Sequence, residues 1–145
     1  MRQAAWLAVL AAVVVALAGC GGGGGGEESE PENPQAKAAC EGSPLGDAPK
    51  LPTSFPQVEN VTYTKQSTQG PSNIVEGYFE GSVKDAHDEY LKELKAAGYQ
   101  ILFEELEEHD SEISWKGEGR TGQVALREEC GSGDKIYVHI TNRPA

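Results

Sequence analysis

Positive charge is scarce in this 145-residue chain: 12 Lys and Arg stand against 23 Asp and Glu, a formal net charge of −11. Phosphate backbones are held by clustered Lys and Arg, so nucleic acid is excluded as a partner. Lying flat on an anionic leaflet is disfavoured for the same reason. No apolar run reaches the roughly 20 residues that a membrane-spanning helix needs; Ala4 to Ala18 is uncharged but has only 15 residues. Cysteine is rare, three in all, with no Cys-x-x-Cys spacing and no His beside Cys40 or Cys130. No internal repeat is present. Covalent catalysis lacks a nucleophile elbow: Gly131-Ser132-Gly133 lies in a turn-rich stretch without the strand-to-helix context that such a motif requires.

The N-terminus carries the most specific pattern. Met1-Arg2-Gln3 supplies a positive start, an Ala, Val and Leu-rich run follows, and Leu17-Ala18-Gly19-Cys20 closes it. That order is that of a cleavable export signal. The last four residues resemble the lipobox of bacterial lipoproteins at every position. The resemblance implies cleavage before Cys20, diacylglyceration of its thiol, and a mature chain held on the extracytoplasmic face of the cell membrane. One acyl chain binds only marginally, and two or more anchor stably. Loss of residues 1–19 removes Arg2 and brings the formal charge to −12. Gly21 is not the Asp that signals inner-membrane retention in lipoproteins of the enteric type. The Gly-rich start is common among exported lipoproteins of high-GC Gram-positive bacteria, which favours a single-membrane cell, with the outer membrane as the site if there are two.

Gly21 to Gly26 is unbroken glycine, followed by Glu27-Glu28-Ser29-Glu30-Pro31-Glu32-Asn33-Pro34. Glycine raises chain entropy, and like charges with prolines oppose collapse. Residues 20–40 therefore read as a tether, with an r.m.s. reach of about 25 Å as a flexible coil. No strand precedes the glycines and no Lys-Ser/Thr follows, so they are not a phosphate loop. With Cys20 used as the anchor, Cys40 and Cys130 remain as an even pair in an oxidising compartment and are expected to form a disulfide. A metal pair or a reactive thiol is the alternative.

Residues 41–145 read as one domain. Leu51-Pro52 and Phe55-Pro56 suggest an extended entry. Gln57–Thr64 and Ile74–Glu80 have strand character, with turn chemistry at Gln69-Gly70-Pro71-Ser72-Asn73 between them. Ser82 can cap a helix with Asp85 three residues on, and Val83, His87, Tyr90, Leu91, Leu94 and Ala97 recur at helical spacing until Gly98 stops it. Asp88 and Lys92 are spaced as an i,i+4 pair. Strand patterns follow at Tyr99–Leu106, Ser111–Lys116, Gly122–Glu128 and Lys135–Asn142, with Tyr99, Ile101 and Phe103 sharing one face of the first. Short links favour an antiparallel meander. The expected fold is α+β, one helix packed on a curved antiparallel sheet in the order β-β-α-β-β-β. It looks like several small exported bacterial domains of unknown function, and no activity comes with that likeness.

Candidate chemistry is thin. His87 falls inside the helix's apolar arc, where a packing role with one hydrogen bond is the ordinary reading. His109 sits in a loop, and His139 alternates away from Val138 and Ile140. The stretch Glu104, Glu105, Glu107, Glu108, His109, Asp110 and Glu112 is rich in oxygen donors but lacks the regular spacing of a calcium loop; charge there reads as a solvated hairpin tip. Asn60-Val61-Thr62 fits a glycosylation sequon that a bacterial lipoprotein would not use. Leu102, Arg127, Tyr137 and His139 share the sheet face away from the helix and form the candidate interaction face. The expected function is a monomeric, cofactor-free, non-enzymatic binding module contacting an envelope protein, polymer or small ligand; an envelope enzyme using a metal or a histidine is the alternative.

Overall fold

A computed structural model describes residues 33–131 and 133–145. The expected signal peptide (1–19), the expected lipidation site Cys20, residues 21–32 of the expected tether and Ser132 lie outside the described residues. In chain order the elements are α1 (Pro34–Cys40), β1 (Val61–Gln69), β2 (Ser72–Glu80), α2 (Val83–Ala96), β3 (Gln100–Leu106), β4 (Asp110–Gly117), β5 (Arg120–Arg127) and β6 (Lys135–Pro144). None of the described helices is long and apolar enough to cross a membrane. The α+β class holds, but the element order differs from the expected one. All four segments after α2 are strands, making six, and a helix precedes β1.

The six strands form one sheet in the order β1-β2-β6-β5-β4-β3, antiparallel at every step. β1 and β2 are a hairpin turned at Gly70, whose φ of 56° suits glycine. α2 carries the chain across the sheet to β3, and β3 to β6 return as a meander that ends beside β2. α2 begins with a full capping box: Ser82 Oγ accepts from the Asp85 amide at 3.1 Å, and the Asp85 carboxylate accepts from the Ser82 amide at 3.4 Å. Removing such a cap costs about 1 kcal/mol. Gly98, at φ 84°, closes the helix as expected, with the Tyr99 amide donating to the Leu94 carbonyl at 3.0 Å. Asp88 pairs with Lys84 rather than Lys92, whose ammonium lies 3.0 Å from Glu89. Ala97, expected in the apolar arc, is the exposed C-cap.

The core lies between α2 and one sheet face. Val83, Ala86, Tyr90 and Leu94 pack on Val75, Phe79, Ile113, Trp115, Leu126 and Val138. Phe55 and Val58 of the irregular entry segment close one side, and Phe55, Tyr99 and Trp115 make mutual edge and tilted contacts at 5.2–5.9 Å. Burial and Tyr90 act in opposite directions on the Tyr63 phenol: burial pushes its pKa up, the hydrogen bond from Tyr90 pulls it down, and it settles at about 12. Phe103 departs from the alternation that placed it in the core. A bulge between Ile101 and Phe103 adds one residue to β3, so Phe103 stands opposite Ser114 and is 50% exposed.

α1 was hidden inside the expected tether. Asn33 caps it, its side-chain oxygen accepting from the amides of Gln35 and Ala36, and Pro34 occupies the first turn. Ala36, Ala39 and Cys40 are buried against Tyr137 and Tyr78 on the sheet face opposite α2. The Thr64 hydroxyl donates to the Ala39 carbonyl at 2.6 Å. A disulfide joins Cys40 to Cys130, with Cα atoms 5.6 Å apart and a sequence separation of 90. The packed unit therefore includes Asn33 to Cys40, ahead of residue 41. A seven-residue helix cannot hold itself together in water; burial of three small side chains and the disulfide fix it.

Candidate interaction face

The site is built by strand alternation. Every second residue of β6 from Tyr137 to Arg143, and of β5 from Thr121 to Arg127, points away from α2. α1 covers one end of this outer face and leaves the other open. Under the covered end, Tyr137 is 4% exposed and its hydroxyl donates to Glu76 Oε1 at 2.6 Å. Lys65 Nζ lies 3.7 Å from the other oxygen of Glu76. Burial pushes the Tyr137 phenol well above its usual range, and the Glu76 bond adds to it by opposing a second negative charge. Tyr137 is thus not the accessible residue that alternation alone implied. Alternation sets the face of the sheet; it cannot show that a helix lies on top.

His139 stands directly opposite Glu76 on β2 and Ala125 on β5, and its ring centroid is 6.1 Å from that of Tyr137. Burial lowers its pKa, Glu76 acts in the other direction, and Arg127 adds to the lowering. Arg127 is exposed and donates to Glu112 Oε1 at 3.2 Å, while the Gln123 amide donates to Glu112 Oε2 at 3.0 Å. Arg127, Tyr137 and His139 line one cleft of about 280 Å³, whose far wall is Asn33 and Gln35 of the α1 cap. Leu102, 51% exposed, lies apart from them. It borders a second, open groove of about 540 Å³ across the uncovered end of the sheet, and Gln123 lines both hollows. Three of the four candidate residues therefore meet, and the fourth borders a separate groove that shares Gln123 with their cleft.

The other candidates do not converge. His87 is buried under α2, with its Nδ1 2.7 Å from the Ser111 hydroxyl, a core packing contact. His109 is exposed, 2.8 Å from Glu128. Among the described residues no three His, Cys, Asp or Glu side chains are grouped as metal ligands, and Glu104 to Glu108 are exposed. No protein-family model matches the chain, and no curated protein matches it. The arrangement itself must carry any functional reading.

Glu76, Asn33 and Gln35 were not foreseen as parts of the face. Glu76 had a signal: it is the single carboxylate inside the run Ile74-Val75-Glu76-Gly77-Tyr78-Phe79, where a buried charge demands a partner. Asn33-Pro34 before an Ala-rich segment is a helix start, but acidic and proline neighbours masked it.

Proposed function

We propose that the chain is a lipoprotein anchored through Cys20 on the extracytoplasmic face of the cell membrane, and that its domain is a non-enzymatic binding module using the outer sheet face. The supporting observation is the half-covered face: α1 shields Tyr137 and Glu76, while Arg127 and His139 line one hollow, Leu102 borders another, and Gln123 lines both. Toward the covered end its polar groups pair with one another, Tyr137 with Glu76 and Arg127 with Glu112. Such a face recognises by shape and hydrogen bonding. The partner is an envelope protein, polymer or small ligand, met by a monomer.

Photo-crosslinkable residues at Gln123 and His139, with Lys92 on the opposite side as control, test this reading in the native envelope. Adducts from the first two positions and none from Lys92 are expected; equal labelling at all three refutes it. Metabolic labelling with an alkyne fatty acid tests the anchor. Cys20→Ser should abolish the label and release the chain from the membrane fraction; a label that survives the substitution overturns the assignment.

A further inference from the structure

The uncovered groove has a lining unlike the rest of this acidic chain. Its polar walls are amides and hydroxyls: Gln69, Ser72, Ser114, Thr121, Gln123 and Thr141. Among the described residues no Asp or Glu lines it, in a chain with 23 of them. Ile74 and Leu102 supply the apolar contacts, and Arg143 is the one charged side chain among the described lining residues. The side chains of Ser114, Thr141 and Arg143 make no hydrogen bond or ion pair to any described residue, so their donors and acceptors face outward unspent. The groove draws on all six strands, from Gln69 of β1 to Leu102 of β3. Five interstrand steps make it about 24 Å long.

These features select among ligand classes. A metal ion needs carboxylates or imidazoles, which the groove lacks. A polyanion meets one arginine within a field of net charge −11. A protein partner of ordinary affinity centres on buried aromatic and apolar anchors, and here the apolar residues are two, at the margins of a polar strip. A hydroxyl-rich chain fits each feature. Every sugar hydroxyl both donates and accepts, matching amides and hydroxyls that do the same, and the C–H faces of the rings pack on Leu102 and Ile74. The length and openness suit a segment of polymer threading across the sheet rather than an enclosed small molecule.

We propose that this groove binds a neutral or sparsely charged glycan strand, with Arg143, Thr141 and Gln123 as its hydrogen-bonding contacts. The proposal rests on the reading of the outer face as a binding surface and names its ligand class. The test is co-sedimentation of the full exported chain, purified in detergent, with sacculi stripped of protein and of attached anionic polymers, with soluble chitotetraose as competitor. Sedimentation that chitotetraose reverses, and that falls at least tenfold in affinity in Thr141→Val/Arg143→Ala with an unchanged melting temperature, is the expected result. Because neither side chain makes an internal bond, the variant should fold, and a melting curve verifies it; Leu102→Asp is the second variant, with the same expected loss. Absence of sedimentation, or binding that neither variant weakens, overturns the glycan assignment. If crosslinks from Gln123 and His139 then lead to a protein, the binding-module reading stands and the glycan inference falls; if both assays fail, both fall.

Discussion

Removing the Cys40–Cys130 disulfide should strongly destabilise this fold. The bridge closes a loop of 90 residues, and the chain-entropy relation puts its contribution at about 4–5 kcal/mol at 25 °C. A second cost is local. α1 has seven residues and is held on the sheet by Ala36, Ala39 and Cys40 against Tyr137 and Tyr78, so without the bridge its docking depends on a small apolar contact. Spread over a unit of this size, a loss of about 4–5 kcal/mol corresponds to a fall in Tm of roughly 16–25 °C. Cys40→Ala/Cys130→Ala should melt in that lower range, and limited proteolysis should cut first near residues 33–45 while β2 to β6 stay protected. Guanidinium melts of the oxidised and reduced chain give the free energy directly. A variant that melts within 2 °C of the parent, with no new cleavage near α1, would refute the reasoning, because neither loop entropy nor helix docking would then be at work.

Tyr137→Phe leaves Glu76 buried with only Lys65 at 3.7 Å, and urea melts should show a loss of about 1–3 kcal/mol. His139 has a pKa lowered chiefly by burial, so its NMR titration midpoint should lie below the usual 6.5. The folded state then binds fewer protons than the unfolded one: the contribution of His139 to stability is full above the unfolded value and is lost as pH falls through the folded one. A midpoint at or above 6.5 contradicts the burial. Gly122→Ala sets a methyl against the Thr141 carbonyl and the Trp115 ring, and thermal melts should register about 1–3 kcal/mol of destabilisation. Leu94→Ala empties a fully buried position under the sheet and should cost about 2–5 kcal/mol by the same measurement.

What could be read from the residues alone followed how local the determining physics is. α2 was legible almost to the residue, because Ser82, Asp85 and Gly98 act within one turn of their own positions. Most strand patterns were legible for the same reason, with period two holding from Lys135 to Asn142, but β1 runs Val61–Gln69 rather than the expected Gln57–Thr64. Phe103 failed because a bulge shifts the alternation by one, and nothing in Gln100-Ile101-Leu102-Phe103 announces it. Tyr137 was placed on the right face and given the wrong exposure. Its covering is a helix about 100 residues away in sequence, whose two turns carry no periodicity to detect. The disulfide could be argued from parity of cysteines and compartment; that it pins a helix over the sheet required the third dimension. Arg127 and His139 meeting in one cleft followed from register between β5 and β6, which strand lengths alone do not set.

α1 also changes how an anchor would act on this domain. For a chain held at Cys20, twelve residues separate the anchor from Asn33, where the described part of the packed unit begins, ahead of residue 41. Full extension caps that span at about 45 Å. Asn33, whose side chain donates to Glu129 at 2.6 Å, leads through α1 to Cys40. There the disulfide joins α1 to Cys130, beyond the end of β5, while the Thr64 hydroxyl ties Ala39 to β1. The same Asn33 is a wall of the cleft that holds Arg127 and His139. Tether entry, covalent clamp and binding face are therefore one structural corner. Inserting residues between Cys20 and Asn33 should leave the melting temperature of the described unit unchanged, which thermal melts of the lengthened chain check; a fall of several degrees would show that the segment before Asn33 contributes to the fold.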